Sequence, residues 1–229
     1  MSTTLTGYEA LSRPFRYVLE YYPDEQPELA ALIGKPHTVR LPGSTRPLNG
    51  IVFRAEQGPS TVRSARYTLE LRPWFLRLDQ ERTCAVFQNM SVPEIVTKVC
   101  TDAGFGHIRN ALSSTYPAKE YTVRYGETSF AFLSRLMAEA GIVYFFEHSG
   151  SAHTLVMADS PDVFADCPQG ATLEWLPDVQ DKEGGPPTEP SAHVFELSLS
   201  RQVAAASCSV DNYNPLTPET SLAASAGEG

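Results

Sequence analysis

The sequence predicts an α+β, strand-rich fold organised in two packing units, and three observations predict it. Short segments with a period of two, separated by Pro and Gly turns, fill the first third of the chain. Inside Tyr67–Glu94 (YTLELRPWFLRLDQERTCAVFQNMSVPE) the period changes from two to 3.6, so a strand hands over to a helix. Pro177 to Pro190 (PDVQDKEGGPPTEP) then reads as a linker. At 229 residues the chain is long enough for two units that each bury a core.

After a short polar lead, Arg13 to Tyr22 alternates Phe15, Tyr17 and Leu19 against Arg16, Val18 and Glu20, which makes a strand ended by Pro23-Asp24. Leu29 to Ile33 places Leu29, Leu32 and Ile33 on one face of one or two helical turns. Three strands follow at His37–Leu41, Leu48–Glu56 and Thr61–Trp74, joined by Pro42-Gly43 and Gln57-Gly58-Pro59. Closely spaced strands with tight turns predict a small barrel or sandwich.

Ser91, Pro93 and Glu94 spell a capping box with proline in the first turn. The helix they start carries Val92, Ile95, Val96, Val99, Cys100 and Ala103 on one face, and Gly104 stops it. Tyr121–Tyr125 is a short strand. A second helix runs from an N-cap at Thr128 through Phe130, Leu133, Leu136, Met137 and Ala140 to Gly141. Ile142–Phe146 and His153–Ala158 form a hairpin about Ser149-Gly150-Ser151, expected to be covered by the two helices on at least one face. Beyond the linker, Val194–Leu199 and Gln202–Val210 read as strands, and the final LAASAGEG as a frayed end.

The net charge of −9 is local: residues 1–158 carry 16 Lys+Arg against 15 Asp+Glu, and residues 159–229 carry 2 against 12. No basic stripe suited to nucleic acid exists, and the acidic part is expected to be a solvated loop or tail. Cys84, Cys100, Cys167 and Cys208 lack metal-ligand spacing; reduced, mostly buried thiols are expected, with distant disulfides left open. MSTTLTGYEALSRP has neither the basic start nor the apolar core of a signal peptide. No apolar run nears the roughly 20 residues of a membrane span, so the expectation is a chain folded in the cytosol with no membrane anchoring.

No nucleophile elbow, P-loop, dinucleotide fingerprint or His-Glu-x-x-His is present. Gly104-Phe105-Gly106 follows a helix and reads as its stop. His148 and His153 flank the hairpin tip; they are expected to be solvated, a metal pair being the other reading. Glu139, Glu147, Asp79 and Glu81 are expected to be surface charges rather than acid/base pairs. Trp74, Phe75, Tyr144, Phe145 and Phe146 are expected in the core, and a sugar-stacking surface would instead expose Trp74 or Tyr144. Catalytic, cofactor-binding and metal residues are therefore assigned to none, and the chain reads as a scaffold rather than an enzyme.

Five segments in order carry a family resemblance: LTGYEALSRPFRYVLEYY, LIGKPHTVRL, LNGIVFRAEQG, YTLELRPWFLRLDQERTCAVFQNMSVPEIV and YTVRYGETSFAFLSRLMAEAGIVYFFEHSGSAHTLVMADSP. Over about residues 5–160, and more weakly over 190–215, they resemble the N-terminal, phage tail-hub-like region of VgrG, the type VI secretion spike. The resemblance implies a β-barrel at 1–80, an α/β domain at 81–185, and at 186–229 a linker with the first strands of an incomplete second barrel. It further implies a homotrimer that docks on a hexameric Hcp-type tube in a baseplate, with a PAAR-type tip and effectors held by regions beyond those seen here. The implied location is cytoplasmic before firing and secreted or delivered to target cells afterwards. A tail hub of a phage or another contractile injection system is the nearest alternative. A hydrolase or a carbohydrate-binding module is the rival from another class.

Overall fold

The computed structural model describes residues 3–41, 45–60, 65–164, 174–175, 193–194, 198–199 and 207–227. Contacts divide the chain into two units, Met1–Ala165 and Asp166–Gly229.

The first unit opens with five strands: β1 (Thr4–Ala10), β2 (Arg13–Tyr21), β3 (Pro36–Arg40), β4 (Pro47–Ser60) and β5 (Ala65–Arg72). They form one antiparallel sheet in the order β1-β2-β5-β4-β3. Register shifts at Tyr8/Ala10 in β1 and at Val52/Arg54 and Gln57/Ser60 in β4 kink these strands, and such bulges curve a sheet into the half-barrel seen here. Alternation works as the sequence predicts: Tyr67, Leu69 and Leu71 of β5 and Phe15 and Tyr17 of β2 are buried. The short helix α1 (Leu29–Leu32) joins β2 to β3.

The polar lead is β1. It lies at the sheet edge, mostly exposed, so its pairing with β2 rests on backbone hydrogen bonds and no apolar alternation marks it. At the turn into β2, Ser12 takes a left-handed φ of 55°, and its N–H donates to the Tyr144 carbonyl at 2.7 Å.

Past β5 a 3-10 helix, Trp74–Asp79, buries Trp74, Phe75 and Leu78. A strand that the sequence pattern does not mark follows, β6 (Arg82–Met90), paired antiparallel with β8 (Lys119–Thr128). Between them lie helix α2 (Val92–Asp102) and strand β7 (Ile108–Ala111). Helix α3 (Ser129–Glu139) and the hairpin β9 (Val143–His148) and β10 (His153–Ala158) complete the unit. β7 runs parallel to β10 and β9 antiparallel to it, in the order β7-β10-β9.

Both helices are capped as their sequences predict. The Glu94 carboxylate accepts from the Ser91 N–H and hydroxyl, each at 2.7 Å, and Thr128 Oγ1 accepts from the Ala131 N–H at 3.1 Å. Gly104 (φ 85°) and Gly141 (φ 69°) terminate them in left-handed conformation, with Phe105 N–H and Ile142 N–H returning to the Cys100 and Met137 carbonyls.

One hydrophobic core runs through the whole unit, from Phe15, Leu69 and Leu71 to Ile95, Val96, Phe132, Leu136 and Leu155. The expected division at residue 80 therefore falls inside a continuous core. Phe75 is the physical reason: it meets Phe130 and Tyr144 edge-on, both with ring centroids at 5.3 Å. Phe15 likewise meets Phe146 edge-on at 5.2 Å, so the hairpin packs on the five-stranded sheet as well as on its own neighbours.

In the second unit, β11 (Glu174–Trp175) pairs parallel with β12 (His193–Val194), and β13 (Ser207–Val210) antiparallel with β14 (Ala224–Gly227). The frayed end expected over the last residues is corrected for Ala224–Gly227, which is a strand. Its side chains bury nothing, so only the backbone ladder with β13 defines it. The linker, Cys167, the division at residue 185 and much of the two expected late strands lie outside the described residues.

Phe75→Ala is expected to destabilise the first unit by about 3–5 kcal/mol, the usual cost of removing a buried phenyl ring. Because the core is continuous, urea titrations followed by tryptophan fluorescence and by far-UV dichroism should keep a single shared midpoint.

Candidate functional site

The histidines expected at a solvated hairpin tip are the centre of a buried polar joint, which corrects that expectation. His153 is 2% exposed and His148 is half-buried. The Trp74 N–H donates to His153 Nε2 at 2.8 Å, so the ring proton sits on Nδ1, which lies 2.8 Å from Asn49 Oδ1. The Asn49 N–H donates to His148 Nδ1 at 3.1 Å, so His148 carries its proton on Nε2, 3.2 Å from the Tyr17 hydroxyl. Asn49 Nδ2 donates to Thr38 Oγ1 at 2.8 Å, and Trp74 Nε1 donates to the His153 carbonyl at 3.2 Å. The five-stranded sheet, the 3-10 helix and the hairpin thus share one hydrogen-bonded network.

Electrostatics follow the geometry. Burial, with the neighbouring His148 and His107, pushes His153 down to about 3. Burial and the Arg46 charge push His148 down to about 4, against the opposing pull of Glu9. Burial and the Glu9 carboxylate hold the Tyr17 hydroxyl well above its ordinary value. Burial of Glu9 is outweighed by hydrogen bonds from Arg46 and Tyr17, which leave its carboxyl below the usual range. Arg46 grips Glu9 with both terminal nitrogens, at 3.1 and 2.7 Å.

This network holds structure together. Both histidines spend a lone pair on a backbone amide, and among the described residues no group of three His, Cys, Asp or Glu is placed to hold a metal. The carboxylates go to separate partners: Glu139 to Arg135, Glu147 to Arg109, and Asp79 to the Thr128 hydroxyl, while Glu81 is exposed. Trp74 at 4% exposure and Tyr144 at 2% are core residues, so neither offers a sugar-stacking face. Of the cysteines, Cys100 is buried as expected, whereas Cys84 and Cys208 are free and exposed.

The surface that stands out is the outer face of the β6–β8 ribbon. Val86 lies directly opposite Val123 and Gln88 opposite Tyr121, so these side chains project from the same side. Tyr121 is 58% exposed and Tyr125 82%, with Val86 and Val123 also open to solvent. The other face turns Phe87 onto the Phe132 ring of α3, with stacked centroids at 5.4 Å. Sequence alternation found the strand at Tyr121–Tyr125 but not its orientation: Thr122 goes inward and the large residues outward. Tyr121, Val123 and Tyr125 alternate with Thr122, Arg124 and Gly126, so the large residues fall on one face and the sequence carries no signal that this face is the outward one.

Comparison with known proteins places this arrangement. The chain matches the family model described as phage tail baseplate hub (GPD) over residues 8–229. It is 36% identical to the type VI secretion system spike protein VgrG1b of Pseudomonas aeruginosa over 223 residues, which is 95% of this chain and 29% of that protein. The solved E. coli c3393 protein is described as a component of the type VI secretion system with structural similarity to the T4 bacteriophage tail proteins gp27 and gp5. It matches with a TM-score of 0.67 at 26% identity, over 77% of this chain and 50% of that one. A tail protein from Neisseria meningitidis shares the fold, with a TM-score of 0.52 at 17% identity over 79% of this chain and 51% of that one. The chain spans roughly a third of the length of the curated relatives it matches.

Asn49→Ala strands the Nδ1–H of His153 without its acceptor, while the Thr38 hydroxyl keeps the Gly150 carbonyl. The expected cost is about 1–3 kcal/mol of unfolding free energy in urea, the penalty for a buried donor left unsatisfied.

Proposed function

Because the chain belongs to the phage tail baseplate hub (GPD) family, we propose that it forms the hub portion of a type VI secretion spike and acts by assembly rather than catalysis. The observation that carries this is its 36% identity, over nearly all its length, to a type VI spike protein. In that role three copies surround a common axis, the hub docks on a hexameric Hcp-type tube within a baseplate, and segments beyond those described here carry the tip and effectors. The protein starts in the cytoplasm and leaves through the apparatus. The three segments 1–80, 81–185 and 186–229 are proposed as the barrel, the α/β domain and the start of a second barrel.

The β6–β8 face is the surface we assign to contact between subunits. Its outward Val86, Tyr121, Val123 and Tyr125 place apolar area in water, which association removes. Aromatic residues at such a patch supply large contact area with few rotatable bonds. A tail hub of a phage would share this fold. The higher identity to spike proteins than to the Neisseria tail protein favours the secretion system.

Light scattering coupled to size-exclusion chromatography, on the protein as its gene encodes it, is expected to give a trimeric mass. Val123→Glu should weaken that association at least about tenfold while leaving the melting temperature within about 2 °C. Unchanged assembly would remove the ribbon from the interface. A monomer that also fails to co-sediment with Hcp-type tubes would remove the hub function itself.

A further inference from the structure

We propose that Asn49, His148 and His153 form an acid-release joint: while both rings are neutral they clamp the β9–β10 hairpin to the five-stranded sheet, and protonation of either ring opens that contact. Geometry carries this. His153 Nε2 faces the Trp74 N–H at 2.8 Å and His148 Nδ1 faces the Asn49 N–H at 3.1 Å. A proton on either nitrogen turns an acceptor into a donor pointed at another donor, and adds a buried charge. The rings lie 6.1 Å apart, so each cation also repels the other.

Among the described residues, the other titratable or charged groups turned toward the pair are Glu9 on β1, Tyr17 on β2, Arg46 ahead of β4 and His107 ahead of β7. Glu9 attracts a proton to His148, but its carboxylate is already held by Arg46, which repels one. Protons have a path: a cleft of ≈ 710 Å³ lined by Glu9, Phe15, Arg46, Phe146 and His148 reaches the network from solvent.

The sign follows from linkage. Both histidines sit below their ordinary value in the folded chain, at about 4 and about 3, whereas an unfolded chain takes up the proton near 6.5. Their contribution is complete above about pH 6.5 and falls as pH drops, by up to about tenfold per pH unit for each histidine, until the folded values are reached.

Hydrogen exchange read by NMR at the Trp74 and Asn49 amides tests this on the intact protein. Corrected for intrinsic rates, their protection should fall at least about tenfold per histidine between pH 7 and pH 5, while amides pairing β6 with β8 change far less. His153→Gln keeps an acceptor and a donor without a titrating group, and retains every carboxylate. Its Trp74 amide should lose about tenfold of the pH dependence, the share of one of the two histidines, with the His148 share remaining; an unaltered dependence would assign the effect to groups other than His153 and overturn the joint. If that variant does not fold, nitrogen spectra of the wild-type histidines decide. A neutral Nδ1–H form of His153 and Nε2–H form of His148 persisting to pH 5 supports the joint. Imidazolium signals appearing near pH 6.5 with Trp74 still protected overturn it.

Discussion

Asn49 is a polar side chain sealed in an apolar interior, and the arrangement of the first unit follows from satisfying it. A buried amide left without partners is costly, so the Asn49 side chain in β4 is matched to His153 and Thr38, its backbone N–H is taken by His148, and His153 in turn accepts from the Trp74 N–H. Hydrophobic contacts around it, Phe15 against Phe146 and Phe75 against Tyr144, supply the larger driving force but tolerate sliding. The hydrogen bonds do not tolerate it. Burial accordingly gives cohesion, and the polar network selects one seating of the hairpin on the sheet.

That division suits the proposed hub role, in which each copy presents the same surfaces and internal joints stay rigid on the timescale of assembly. The 3-10 helix after β5 contributes by burying Trp74 and Phe75 where two segments of the chain meet. Asp79 at its end accepts from Thr128, the residue that caps α3, so the joint is tied to a helix terminus as well. The β6–β8 ribbon is then held from one side only, by Phe87 and the helices, and its other face remains free for contact.

Features legible in the sequence are those whose cause is local. Ser91 and Glu94, Thr128, Gly104 and Gly141 mark helix ends because capping involves residues a few positions apart. Strand β5 is legible because one face is buried and the other solvated. Strands β1 and β6 were not, for a shared reason: each has at most one fully buried side chain, so pairing with a neighbouring strand defines it and alternation does not. β14 is the extreme case, defined by backbone hydrogen bonds alone.

By itself the sequence determined the α+β class, the strands with a buried face, both helices with their caps, the hairpin, and the membership of the hub family. Only the tertiary structure decided the rest. His148 and His153 sit beside a hairpin tip in sequence, where solvent is the natural surroundings, but their partners Tyr17 and Asn49 lie 131 and 104 residues away. Which way Tyr121, Val123 and Tyr125 face was likewise open, because alternation is symmetric under exchange of the two sides of a strand. A periodicity records that two environments alternate, whereas long-range packing settles which is water and which is protein.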